Sequence, residues 1–295
     1  MIMRQTAIAL VVALTMIVPA RLHAWGFEAH QFVMSRAIDQ LPQEIRAFFQ
    51  ANRQFLVEHT IDPDLWRLAG FTDESPRHFL DIDAYGPHPF KDLPRDYDRA
   101  LEKHGFQTLS RNGLLPWRTA EVMGWLRRAF VEMAKNPSRS TEVKLHSAIL
   151  GHYVSDGHVP FHAVMNYDGQ LTGQEGIHAR WESELFTRYQ PRLTIKPPPI
   201  QSIPDIRDFM FEMLLTGVQL VPAVLEADRK AIGSRDQYDD RYYDEFFAAT
   251  QPTLERRLGE SIAAVASAIT TAWQAAGRPV VALDPPRPVQ RKRTR

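Results

Sequence analysis

Leu145-His146-Ser147-Ala148-Ile149-Leu150-Gly151-His152-Tyr153-Val154-Ser155-Asp156 sets Leu145, Ile149, His152 and Asp156 on one stripe of an α-helix. Ligand-type and core-type side chains therefore share a face. The pattern continues into Gly157-His158-Val159-Pro160-Phe161-His162, and His178-Ala179-Arg180-Trp181-Glu182 repeats the four-residue spacing. The skeleton is His-x3-Asp-x5-His-x15-His-x3-Glu. Residues four apart on a helix project the same way, so His152 with Asp156, and His178 with Glu182, can each grip one ion from adjacent turns.

Working outward, the same helical period recurs. His30, Val33, Met34, Ala37, Ile38 and Leu41 form one stripe, and runs of alternating β-branched residues are few. Further helices are predicted near Pro116 to Lys135, where proline suits the first turn, and from His178 towards Tyr189. Two longer ones are predicted from about Asp205 to Lys230 and from about Tyr238 to Ala276. The predicted fold class is all-α. With 295 residues, 44% of them hydrophobic, the chain can bury one large core, so a single multi-helical domain is expected. Pro197 to Pro199 reads as a stiff connector. Asp83 to Gly113, rich in Pro, Gly, Asp and His, reads as a long surface loop bordering a site.

Residues 1–24 read as a signal peptide: Arg4 gives the positive start, Ala7 to Val18 the apolar core, and Leu22-His23-Ala24 the cleavage site. The apolar run is short for a membrane span. Export to the periplasm or outside is therefore expected, with residues 25–277 as the mature domain and no transmembrane segment after cleavage. Residues 278–295 read as a basic tail, solvated and without a specific partner. The sequence contains no cysteine. Metal coordination, which adds its binding free energy to stability, can brace such a chain without disulfides.

Mixed imidazole and carboxylate donors suit zinc, and sets that leave a water position are catalytic. A single His-x3-Asp pair arises often by chance on solvated helices, but two pairs joined by a third histidine after a proline are far more specific. The apolar stripe beneath His152 and Asp156 strengthens the case. A carboxylate buried there is costly unless a charge compensates it, and a cation does so.

These motifs resemble the metal-binding signature of S1/P1 nucleases and zinc-dependent phospholipases C. Trp25-Gly26-Phe27-Glu28-Ala29-His30 is similar to the mature start of the nucleases, and Asp62-Pro63-Asp64 and His78-Phe79-Leu80-Asp81 match the next ligand motifs in order. The resemblance implies a helical fold of the phospholipase C/P1 nuclease type and three zinc ions per chain. One is held by Asp64, His78, His152 and Asp156, with Asp62 as the competing first ligand. A second is held by His162, His178 and Glu182. The third is held by His30, by Asp156 as a bridge, and by the α-amino nitrogen and carbonyl oxygen of Trp25. Catalytic roles fall to Asp64 and Asp156. His59, His88, His104, His146 and His158 have no motif role and read as surface or ordinary hydrogen-bonded histidines.

The implied chemistry is zinc-dependent phosphodiester hydrolysis. The chain carries 35 Lys+Arg and 35 Asp+Glu; loss of Arg4 and Arg21 with the leader leaves 33 against 35, a side-chain charge of −2. Attraction for phosphate must then be local to the site rather than spread over the surface. Phe79 and Asp81 match residues with which the nucleases stack a base and bond its edge, so single-stranded DNA or RNA is the first expected substrate. Glu182 instead matches the phospholipases, which makes a phospholipid the alternative, although Leu65 and Ser75 stand where a choline pocket has aromatic residues. A non-catalytic periplasmic zinc-binding protein is the further alternative. No obligate protein partner is evident from the sequence.

Overall fold

The computed structural model describes residues 26–283. The expected leader, the expected ligand Trp25 and residues 284–295 of the expected basic tail lie outside them. Among the described residues every regular element is helical, as the periodicity predicts.

In chain order the α-helices are α1 (Phe27–Gln40), α2 (Gln43–Ala51), α3 (Arg53–His59), α4 (Asp62–Leu68), α5 (Tyr97–His104) and α6 (Phe106–Asn112). There follow α7 (Leu115–Lys135), α8 (Ser140–Asp156), α9 (Ile177–Ala179), α10 (Leu185–Tyr189), α11 (Ile206–Ile232) and α12 (Asp240–Ala275). Short 3-10 turns (Thr72–His78, Ile82–Tyr85 and Pro160–Ala163) and one π-helical turn (Arg180–Glu184) carry or flank the motif residues.

α8 is the axis of the fold. It packs against α1, α3, α7 and α12, and every residue from 147 to 164 is buried. In this enclosed half the polar residues face protein as well, so the buried surface extends beyond the one stripe read from the sequence. Its neighbours come unusually close. A Cβ on Gly151 would overlap the terminal methyl of Met34 on α1 and lie 3.3 Å from Val265 Cγ1 on α12.

The long helices begin where their caps allow. Asp205 accepts from the Asp208 N–H at 3.1 Å and Asp239 from the Tyr242 N–H at 2.8 Å, each satisfying a donor of the first turn. α11 is long and apolar enough, by length and composition alone, to cross a membrane. It packs on α7, α12 and the Pro160–Ala163 turn, burying Met210, Phe211 and Leu214.

The stretch from Asp83 to Gly113 departs from the expected surface loop. It contains α5 and α6 and buries Tyr85, Phe90, Leu93, Ala100 and Leu109. Its prolines and glycines punctuate short helices instead of excluding them, and Asp96 caps α5 by accepting from the Arg99 N–H at 3.1 Å.

Gly151→Val tests the close approach. Overpacking of a filled core costs about 1–3 kcal/mol, so the urea midpoint of metal-depleted protein is expected to fall. An unchanged midpoint would show that α1, α8 and α12 do not meet as closely as described.

Candidate metal centre

Seven segments deliver eight side chains to one region: His30 from α1, Asp64 from α4, His78 from the turn before Phe79, His152 and Asp156 from α8, His162 from the Pro160–Ala163 turn, His178 from α9 and Glu182 from the π-turn. All are buried except His178, which is nearly so. The backbone explains how distant segments arrive together. The Leu80 N–H donates to the His162 carbonyl at 2.9 Å, the Asp81 N–H to Asn112 O at 2.7 Å, and the Leu115 N–H to Phe79 O at 3.1 Å. His78 to Asp81 is thereby clamped between the turn that carries His162 and the start of α7. Gly113 permits this: its φ is +99°, and a Cβ there would overlap the Phe79 carbonyl.

Asp156 stands at the centre and faces two ways. Its Oδ2 lies 3.1 Å from His78 Nδ1 and 3.3 Å from His152 Nε2, while Oδ1 lies 3.4 Å from His30 Nε2 and 3.6 Å from His162 Nδ1. His78 Nδ1 is also 3.8 Å from Asp64 Oδ1. Asp62, the competing ligand, instead pairs with His59 at 2.8 Å, away from the cluster. Beyond Asp156, His178 Nε2 lies 3.0 Å from Glu182 Oε2, and His162 Nε2 lies 3.9 Å from the same oxygen.

Three groups have donor atoms within 4.8 Å of one another: His30, Asp64 and His152; His78, His152 and Asp156; and His162, His178 and Glu182. The last is the second set expected from the sequence. The first two share His152 and between them gather the four residues of the first set, with His30 placed beside Asp64 as well as Asp156. Many of these atoms have no hydrogen-bond partner: both ring nitrogens of His30, Asp64 Oδ2, Asp156 Oδ1, His162 Nδ1, His178 Nε2 and both Glu182 oxygens. An orphaned buried polar group costs about 1–3 kcal/mol, and more when charged. Bound cations would satisfy one nitrogen of each imidazole and the carboxylate oxygens together, so the residues fit a metal.

The protonation tendencies agree. Burial, with His152 nearby, lowers the pKa of His30, and burial drives His162 well below the ordinary imidazole value despite Asp156. Both rings are therefore neutral at physiological pH, the form that coordinates a metal. Burial alone would raise Asp156, but His152 and His162 hold it well below the usual carboxylate range. Burial pushes Glu182 up to about 7, against the opposing effect of His178. A carboxylate so placed keeps its charge near neutral pH most readily beside a cation.

The π-turn explains how His178 and Glu182 reach one point. Between them, Arg180 points away and is held by Tyr242 Oη at 3.0 Å, Asp228 Oδ1 at 3.1 Å and the Glu175 carbonyl at 2.7 Å. These partners pin the widened turn to α11 and α12.

Beside the cluster opens a cavity of about 320 Å3 whose lining includes His78, His162 and His178 together with Arg67, Phe79, Asp81, Arg111 and Tyr167. Phe79 and Asp81 thus line the same cavity as His78. Burial, with Asp83 adding, pushes the Asp81 carboxyl up to about 7. Arg67, Arg111 and Tyr167 escaped the sequence reading. Arg67 alone had a usable signal, its three-residue spacing from Asp64, to which it donates at 2.9 Å. The five histidines without motif roles stay outside the metal groups; His158 is fully buried but donates from Nδ1 to Val154 O at 2.8 Å, an ordinary helix contact.

No family model matches the chain, and no curated protein matches it either.

Because metal would bind only the assembled site, adding Zn2+ to metal-free protein is expected to raise the unfolding midpoint. Free zinc at a hundredfold excess over Kd contributes about 2.7 kcal/mol per site. Asp156→Asn should lose most of this gain and the exposed control Glu102→Gln none. Equal gains in the two variants would remove Asp156 from the metal centre.

Proposed function

We propose that this chain is a zinc-dependent phosphodiesterase of the phospholipase C/P1 nuclease type, acting on single-stranded nucleic acid. The observation that carries the reading is the convergence of eight buried donors, centred on a two-faced Asp156, beside a cavity lined by arginine, aromatic and carboxyl groups. His30, Asp64, His78, His152 and Asp156 would hold one part of a zinc cluster, and His162, His178 and Glu182 the other. Zinc supplies Lewis acidity, which activates water and neutralises charge on a phosphoryl group.

The chain's own residues supply recognition. Arg67 and Arg111 offer guanidinium forks suited to phosphate oxygens. Their effect is local, which matters in a chain whose overall charge attracts no polyanion. Phe79 and Tyr167 offer ring faces on which bases of any sequence can stack. Asp81, titrating near 7, carries a proton on one oxygen in part of the molecules, so its carboxyl can both donate to and accept from a base edge. Arg67 also holds Asp64 in place from the cavity side.

A phospholipid is the second reading, and a specific observation favours it. The segments that carry Asp64 and His162 also expose large apolar residues: Leu68 at 53% and Phe71 at 64% after Asp64, and Met165 at 43% and Leu171 at 68% after His162. Such side chains could enter a lipid interface, and Glu182 is the residue the phospholipases use at its position.

The deciding experiment is an assay of the zinc-loaded mature protein on single-stranded DNA, RNA, a nucleoside 3'-monophosphate and phosphatidylcholine vesicles. Chelator-sensitive cleavage of the nucleic acids is expected. Phe79→Ala should then raise KM roughly fivefold or more, since a stacked base contributes about 1–3 kcal/mol. Turnover of phosphatidylcholine alone would transfer the assignment to the phospholipases, and zinc binding without turnover of any substrate would leave a metal-binding protein.

A further inference from the structure

We propose that Glu74 is a positioning residue for this centre, fixing His78 in the tautomer that carries its proton on Nε2 and leaves Nδ1 free to bind metal. The inference rests on the metal-centre reading above and goes beyond it to a residue outside every donor group.

The two nitrogens of His78 have different surroundings. Nδ1 points into the cluster, 3.0 Å from His152 Nε2 and 3.1 Å from Asp156 Oδ2. Nε2 points out of it, and the atom it faces is Glu74 Oε1 at 3.6 Å. A neutral imidazole has one proton, and a nitrogen that binds metal must present its lone pair, so the proton has to sit on the outer edge. A carboxylate facing that edge favours this arrangement. At 3.6 Å the pair is longer than a hydrogen bond, and the preference is electrostatic.

Glu74 is itself held in place. Its side chain is buried, Tyr153 Oη donates to Oε1, and Arg77 Nη1 donates to Oε2 at 2.7 Å. Tyr153 adjoins the ligand His152 on α8 and receives Arg118 Nε at 3.3 Å; Arg118 in turn donates to Glu121 at 2.6 Å. A buried carboxylate is costly, and its position opposite the outer edge of a ligand histidine is the arrangement that orients such rings and raises their basicity. The neighbouring ring shows a neutral counterpart: His152 Nδ1 donates to the Thr60 carbonyl at 2.9 Å, which leaves its Nε2 facing the cluster. His78 and His152 are therefore both fixed from behind, one by a charged acceptor and one by a peptide carbonyl.

The test is chelator competition for zinc in the mature protein, with the unfolding midpoint of each metal-free variant measured in parallel. Glu74→Gln keeps the shape and an acceptor for Tyr153 but removes the charge, and is expected to weaken zinc roughly tenfold or more. Tyr153→Phe loosens Glu74 without touching either nitrogen of His78, and is expected to weaken zinc by a smaller factor. 15N NMR of the metal-free protein should show the His78 proton on Nε2 in wild type and a shift towards the Nδ1–H form in Glu74→Gln, a readout that a merely structural network does not dictate. A wild type that binds no zinc would overturn the metal reading itself. Wild-type affinity in whichever of the two variants folds, or the same tautomer in metal-free wild type and Glu74→Gln, would overturn the role of Glu74 alone.

Discussion

Three carboxylates and five imidazoles are buried with their donor atoms turned toward one another, and Asp156 lies at the point where the groups meet. In a low-dielectric interior such a gathering is unfavourable by itself. The carboxylates repel one another, and burial holds two of the imidazoles, His30 and His162, below their ordinary value, which limits the charge they can offer in return. The rest of the architecture holds these side chains in place, and a cation would make the arrangement favourable.

That support is graded by distance from Asp156. From Ser147 to Asp156 α8 is enclosed on all sides, so His152 and Asp156 have little freedom, and the close approach of α1 and α12 at Gly151 sets its position. His78 and His162 lie on turns instead of long helices, but the backbone bond between Leu80 and the His162 carbonyl couples them. Glu182 and His178 depend on a π-turn anchored through Arg180 and Asp228. The least enclosed ligand, His178, is also the one that lines the open cavity. Enclosure is therefore greatest at Asp156 and least at His178, on the side of the cavity.

The helical class and the burial of His152 and Asp156 on α8 were legible because one periodicity governs both: a polar pair four residues apart on an apolar stripe has to lie on a helix facing protein. The choice between Asp62 and Asp64 turned on which side of α4 meets α8, a tertiary fact that the sequence reading could rank but not derive. The stretch from Asp83 to Gly113 was misread as loop because its helices are only seven or eight residues long and lie among prolines and glycines. Short helices depend on tertiary contacts more than on propensity. Glu74 left a trace in its four-residue spacing from His78, but in a 3-10 turn that spacing does not define a shared face. Arg111 and Tyr167 left none, since single residues reach the cavity only through the fold.

The central claim is that Asp156 bridges metal ions within one buried cluster, and the most direct measurement is anomalous scattering at the zinc absorption edge from crystals of the mature protein. The account predicts metal peaks on both sides of the Asp156 carboxylate, one towards His78 and His152 and one towards His30, and a further peak enclosed by His162, His178 and Glu182. A zinc-soaked crystal with ordered side chains and no metal within bonding distance of Asp156 would contradict it.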